Sequence, residues 1–262
     1  MKITINDPIK ASKFSTIIQH LKNITENIPF YFREEGLYIQ CMDDSHCCLF
    51  ECVIASTWFD EYVFDAEKDP ASIGIAMTLF YKVINVRHES QTLEIQVTSR
   101  EIDHIFVNFV NSQNGKFDKH FKLALIDINY EPMEPTHIDT VVDLVMDSKT
   151  LCELVGQLMI FDDNIILTFN EETIDLVSTG SDGTMKVDIK MDDVNEYAIA
   201  ENTTLAQTYS LRYIQLMCQF NKLTSAIRMG FSHGMPMTLK YELSEDSYVR
   251  FHLAPKFTDD NN

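Results

Sequence analysis

No stretch of this chain has the length and apolarity of a membrane span, and its N-terminus has no secretory h-region, so a soluble, unsecreted protein with no membrane partner is expected. Catalytic signatures are missing too. There is no GxxxxGK followed by Ser or Thr, no GxGxxG opening a helix and no nucleophile elbow. Cys41, Cys47, Cys48 and Cys52 lie close together but do not form the paired C-x-x-C of structural zinc, so free thiols and no metal site are expected. Basic side chains are scarce, 21 against 40 acidic ones, for a net charge of −19. Taken globally that balance opposes a nucleic-acid partner, because neutralising phosphates with Lys and Arg drives such binding. Where the positive residues lie matters more than their sum.

Acids are what the chain has in plenty. The pairs Asp43-Asp44, Asp162-Asp163 and Asp192-Asp193 could hold a divalent cation for phosphoester chemistry. Read as strand neighbours, however, adjacent aspartates point to opposite faces, so no enzyme, no catalytic residue and no cofactor is expected. The 262 residues, 45% apolar, suffice for a real core, and the length predicts about two domains.

Self-similarity supports two copies of one plan. Ser12-Lys13 and Ser148-Lys149 each open an apolar-periodic run. Phe32-Arg33-Glu34-Glu35 and Phe169-Asn170-Glu171-Glu172 follow at matching distances, and an F-x-L-A tetrad closes each half, Phe121 to Ala124 and Phe251 to Ala254. Between the copies runs LIDINYEPMEPT, Leu125 to Thr136. Pro132 and Pro135 make it extended, and Asp127, Glu131 and Glu134 keep it solvated. Ile126, Ile128, Tyr130 and Met133 are more apolar surface than a plain linker needs. Two readings are open, a connector laid on its own domain and a strap on which partners dock. The expected division is residues 1–124, a connector at 125–136, a second domain at 137–258 and an acidic tail at 259–262.

Phe14, Ile17, Ile18, Leu21 and Ile24 share one helical face from Ser12, the expected N-cap, to Ile24. The run from Ser148 repeats that spacing, and Thr78–Arg87 and Leu211–Lys222 are expected as further helices late in each half. The rest alternates as strand, including Cys48/Phe50/Cys52/Ile54 with both cysteines on one face. Each half is then two helices on antiparallel sheets, an α+β class. Lys13, Lys22, Lys82, Arg87, Arg212 and Lys222 are uncompensated on these helices, and Glu153 cancels Lys149. Such segregation in an acidic chain reads either as ordinary solvated helix faces or as a weakly basic helical surface facing phosphates.

The segment Gln40-Cys41-Met42-Asp43-Asp44-Ser45-His46 resembles the Q-x-M-D-x-S-H motif of the proliferating cell nuclear antigen family of DNA sliding clamps. Leu211-Arg212-Tyr213 and Leu253-Ala254-Pro255-Lys256 resemble two more of its motifs, in the right order, and the resemblance spans nearly the whole chain. It implies the DNA clamp fold: two duplicated domains per subunit, three subunits in a homotrimeric ring, helices lining the hole and duplex DNA encircled without regard to sequence. It further implies partners, namely DNA polymerase and other replication or repair proteins bearing a peptide motif, and an ATP-driven clamp loader. Carried over by position, the peptide-binding residues are Met42, His46, Cys47, Leu49, Met133, Met235, Pro236, His252, Ala254 and Pro255. Lys22, Lys82 and Arg212 match basic family positions, and Lys13, Arg87, Lys149 and Lys222 join them by the face argument. Subunit contacts are implied between strands around Phe117–Lys122 and Thr184–Lys190. Departures exist: Glu131-Pro132-Met133-Glu134 replaces an apolar connector centre, His252 stands where tyrosine is usual, and Ser15, Thr16 and Gln219 are uncharged where the family is usually basic. The compartment implied is the nucleus, or a cytoplasmic replication factory for a viral source. A monomeric viral processivity factor and a subunit of a heterotrimeric checkpoint clamp are the alternatives.

Overall fold

The computed structural model describes residues 1–98, 101–110, 117–128, 130–134 and 138–256; Pro135, Thr136 and the acidic tail lie outside the described residues. The first copy runs β1 (Lys2–Ile5), α1 (Pro8–Leu21), β2 (Asn27–Arg33), β3 (Gly36–Met42), β4 (Cys48–Ala55), β5 (Glu61–Val63), β6 (Ser72–Ala76), α2 (Met77–Ile84), β7 (Thr92–Thr98), β8 (Glu101–Val110) and β9 (Lys119–Ala124). The second repeats that order with β10 (Val142–Asp147), α3 (Ser148–Leu158), β11 (Asn164–Phe169), β12 (Thr173–Gly180), β13 (Gly183–Lys190), β14 (Glu196–Ile199), β15 (Leu205–Ser210), α4 (Leu211–Cys218), β16 (Ala226–Phe231), β17 (Met237–Ser244) and β18 (Ser247–Leu253). Hydrogen-bonded neighbours repeat as well. The order β5-β1-β7-β8-β9 corresponds to β14-β10-β16-β17-β18, and β6-β2-β3-β4 to β15-β11-β12-β13. The repeated landmarks fall on equivalent places. Phe32 is the penultimate residue of β2 and Phe169 the last of β11, their Glu-Glu pairs make the following turns, and the F-x-L-A tetrads lie on β9 and at the end of β18.

Contacts divide the chain into one unit of Met1–Asp44, Phe50–Met133 and Leu243–Val249, and another of Ser45–Leu49, Glu134–Glu242 and the residues from Arg250 onward. In the first unit Phe14, Ile17, Ile18 and Leu21 of α1 and Phe80 and Ile84 of α2 are buried against the sheets. Phe30 meets Phe80 edge to face at 6.0 Å between centroids. Within this unit the start of β18 also lies on the end of β4, where Ala55 N–H donates to Ser247 Oγ at 3.0 Å. In the second unit Leu151, Val155 and Leu158 of α3 and Ile214 and Met217 of α4 are buried, and Phe169 packs on Phe231 at 4.5 Å. Each side chain of this size contributes about 2 kcal/mol by leaving water. Cys48, Phe50, Cys52 and Ile54 are buried together on one face of β4, as alternation predicts.

Helix boundaries differ from the sequence reading. α1 begins at Pro8 with Asp7 as N-cap, its carboxylate accepting from Ile9 N–H at 2.7 Å and Lys10 N–H at 3.2 Å; Ser12 is an interior residue. Asp followed by Pro at the first helical position is the stronger start signal. α3 is capped likewise by Asp147, whose carboxyl is held below its ordinary range by hydrogen bonds from Thr150. At the other ends α1 stops at Leu21, α2 at Ile84 and α4 at Cys218, leaving Ile24, Arg87 and Lys222 beyond them. Tight i→i+3 turns close them, as in Ile24 N–H to Leu21 O, Arg87 N–H to Ile84 O and Phe220 N–H to Met217 O. The acid pairs are not strand neighbours either. Asp43-Asp44 follow β3, Asp162-Asp163 precede β11, and Asp192-Asp193 lie in a short 3₁₀ turn.

Asp7→Ala should lower unfolding free energy by about 1 kcal/mol, whereas Ser12→Ala should change it by less than about 0.5 kcal/mol. Urea melts of the two variants measure the difference, and equal losses would return the cap to Ser12.

Candidate functional site

The connector is laid on its own unit by backbone and side-chain bonds together. Leu125 N–H donates to Asp103 O at 2.8 Å, and Ile126 N–H to Gly74 O at 3.0 Å, forming a bridge to β6. Gly74 has to be glycine for this approach, because a Cβ there would lie 2.3 Å from Ile126 O and 2.7 Å from Ile128 Cγ1. Further along, Tyr31 Oη donates to Tyr130 O at 2.8 Å. Burial pushes the Tyr31 phenol up to about 12, so it stays a neutral donor at physiological pH. Gln40 then pairs with Met133 on both sides of one residue, Oε1 accepting from Met133 N–H at 2.7 Å and Nε2 donating to Met133 O at 2.8 Å. The Met133 side chain stays 42% exposed. Met42 stands two residues from Gln40 on β3, hence on the same face.

The other residues that the family resemblance supplies for peptide binding belong to the second unit alone. His46 turns the chain after β3 with φ +56°, a left-handed conformation that histidine accepts more readily than most residues. Cys47 O accepts from Ala254 N–H at 2.9 Å, which brings the end of the Leu253-Ala254-Pro255 motif against the Cys47-Cys48-Leu49 segment. Lys256 N–H donates to Thr208 O at 2.7 Å, and its Nζ bonds to Asn164 Oδ1, so the motif is fixed at both ends. Met235, 40% exposed, and Pro236 lie in the turn between β16 and β17, and His252 is half-buried on β18.

The helices have a different electrostatic character from the sheets. Glu153 is the only acid within α1 to α4. Strand lysines are largely paired with carboxylates: Lys2 with Glu61, Lys122 with Glu101, Lys186 with Asp188 and Lys240 with Glu242. Among the described residues Lys13, Lys22, Lys82, Lys149, Arg212 and Lys222 pair with no carboxylate. Lys82, Lys149 and Arg212 are exposed on α2, α3 and α4, and Lys222 is exposed just beyond α4. Lys13 lines an open cleft of about 420 Å³ with Trp58, Glu245 and Asp246, and Lys22 Nζ sits 4.0 Å over the Tyr81 ring. Arg87 requires a correction. It lies past α2, and its Nη1 donates to the carbonyls of His88, Glu89 and Gln91 at 3.2, 3.1 and 2.9 Å. That guanidinium clasps the loop after α2 and does not stand on a helix face.

Gln40 is not among the site residues that the resemblance supplies, although it heads the Q-x-M-D-x-S-H motif. An amide between Ile39 and Cys41 in a buried strand is the signal, because a buried amide must find partners. Lys10 is likewise absent from those site residues; its Nζ donates to Trp58 O at 2.6 Å and lies 5.6 Å from the ring centroid.

Two helices on antiparallel sheets, duplicated in one chain, define the α+β DNA-clamp fold. Residues 8–132 match the family described as Proliferating cell nuclear antigen, N-terminal domain, and residues 133–256 match its C-terminal domain. Relatives named Proliferating cell nuclear antigen include one from Saccharomyces cerevisiae, 25% identical over 257 residues, covering 96% of this chain and 97% of the relative. Another, from Chaetomium thermophilum, is 23% identical over 258 residues, with 96% and 97% covered. The chain belongs to the proliferating cell nuclear antigen family, whose members are DNA sliding clamps, non-enzymatic processivity factors of DNA replication and repair.

Gly74→Val should dislodge the start of the connector at a cost of about 1–3 kcal/mol. The Ile126 amide should then exchange its hydrogen faster than in the wild type, and unchanged protection would show that β6 does not hold the connector.

Proposed function

We propose that this protein is a homotrimeric ring that encircles duplex DNA and tethers polymerases and repair enzymes by a peptide motif. The observation that carries the reading is the inequality of equivalent strands. β9 and β13 are the counterparts of β18 and β4. Ser247 at the start of β18 accepts Ala55 N–H of β4, whereas β9 and β13 each end a sheet with one hydrogen-bonded neighbour among the described residues. Pairing β9 of one subunit with β13 of the next repeats an arrangement already used within the chain. Phe117, 88% exposed just before β9, is then covered. Such head-to-tail contacts close a ring and cover these two edges.

Domains at residues 1–124 and 137–258 with a 125–136 connector fit this assembly. Lys13, Lys22, Lys82, Lys149, Arg212 and Lys222 would meet the phosphates, and the exposed strands and loops, rich in acids, would repel DNA from other directions. Few cations on the bore make contact weak and sequence-blind, which sliding requires. Met42, His46, Cys47, Leu49, Met133, Met235, Pro236, His252, Ala254 and Pro255 form the peptide site of this reading, with methionines that repack around different anchors. A tethered polymerase rebinds intramolecularly, at an effective concentration on the order of millimolar. Opening the ring falls to a separate loader, and the working compartment is the nucleus or a viral replication factory.

Loaded protein should remain on nicked circular DNA and leave when the circle is cut, while short open-ended duplexes near physiological salt should bind almost none. Salt-resistant, sub-micromolar binding to such duplexes would favour a monomeric processivity factor. Lys82→Ala should weaken DNA contact and Arg87→Ala should not. A synthetic peptide with a glutamine and two aromatic anchors should bind the wild type, and Met133→Glu should weaken it by about 2 kcal/mol or more in a calorimetric titration; equal affinities would remove Met133 from the site.

A further inference from the structure

Gln40 is fully buried on β3, 0% exposed, yet every hydrogen-bonding position of its amide is used. Oε1 accepts from Met133 N–H at 2.7 Å and from Tyr130 Oη at 3.4 Å. Nε2 donates to Met133 O at 2.8 Å and to Tyr38 Oη at 2.9 Å. Behind it, Tyr38 Oη donates to Glu51 Oε1 at 3.3 Å, and Glu51 is itself 2% exposed. The two bonds to Met133 are those a neighbouring strand would make, supplied by one side chain. Glu131 and Glu134 on either side are exposed and offer this end of the connector no apolar anchor. The start of the connector is held by Gly74, far along the segment, so register at Met133 depends on Gln40 and on the Tyr31 bond to Tyr130 O.

We propose that Gln40 is the positioning residue of the peptide site: its side-chain amide acts as a one-residue strand that latches the Met133 backbone and presents the Met133 thioether outward to the incoming peptide. The buried Tyr38 and Glu51 hold the amide in the orientation that offers donor and acceptor to the correct groups. Only a neutral group of this length carrying both can perform the role. Asparagine is one methylene short, methionine offers neither bond, and an ionised glutamate turns a negative oxygen toward Met133 O. This inference rests on the reading of Met133 as a peptide contact, but the latch itself is present in the free protein and can be measured there.

Hydrogen exchange of the free protein, corrected for intrinsic rates, should show the Met133 amide protected at least about tenfold over that of Glu131. Gln40→Met, close in size and apolar, should keep the thermal midpoint near the wild type while cutting Met133 protection and affinity for the synthetic peptide each by about tenfold or more. Gln40→Glu supplies a readout that packing alone would not move. Its affinity relative to the wild type should be low at pH 8 and recover as pH falls, because the protonated acid regains an O–H donor beside its carbonyl acceptor. The titratable groups around it are Tyr38, Tyr130, Glu51 and Cys41, and the wild type measured at each pH removes their contribution. A wild-type Met133 amide that exchanges as fast as that of Glu131 overturns the proposal, as does a Gln40→Met protein that loses this protection yet binds peptide normally. Should Gln40→Met fail to fold, the wild-type exchange and the pH profile of Gln40→Glu decide. Predicted exchange behaviour with no peptide binding by the wild type would support the latch and sink the peptide site instead.

Discussion

Backbone N–H and C=O groups along the outermost strand of a sheet need partners, and a protein with exposed edges invites uncontrolled association. That constraint governs the whole arrangement. Duplicating one βαβββββαβββ plan doubles the edges, and the chain ties Ser247 of β18 to Ala55 of β4 while β9 and β13 stay at the ends of their sheets. Of the six strands at sheet ends among the described residues, β9 and β13 are the two that the proposed ring joins. In the proposed ring DNA is held by topology, which frees the inner surface from having to bind tightly.

The charges agree with that division of labour. Carboxylates pair with lysines on the strands, while among the described residues the lysines and arginine of the helices pair with no carboxylate, Lys10 donating to a carbonyl instead, and one acid occurs in four helices. A surface of this kind lowers local repulsion without creating strong phosphate contacts. In the proposed function specificity is left to the connector, where precise presentation of a few apolar groups counts for more than area. The buried run Glu51, Tyr38, Gln40 converts the rigidity of β3 into a fixed position for Met133, two prolines and three acids notwithstanding.

The repeat was readable because its landmarks sit where local chemistry is decisive, at the β2/β3 and β11/β12 turns and on the last strand of each copy. The alternation of β4 and the one-sided faces of α1 and α3 were readable for the same reason. Helix ends were overextended because burial continues past them. Phe220 and Leu223 are each 1% exposed, although α4 ends at Cys218, so the apolar pattern outlasts the helix. The start of α1 lies four residues before Ser12 because Asp7-Pro8 supplies both the cap and the first helical residue, outside the apolar period that begins at Phe14. Arg87 looked like a free cation because its partners are carbonyls, which carry no side-chain signature. Gln40 and Met133 are 93 positions apart, and no local rule joins them.

The central claim is closure of subunits into a ring, and solution mass tests it most directly. Light scattering on the purified protein, whose subunit is 30.2 kDa, should report three times that mass, unchanged on dilution through the working concentration range. A mass that stays at a single subunit across that range would contradict the account.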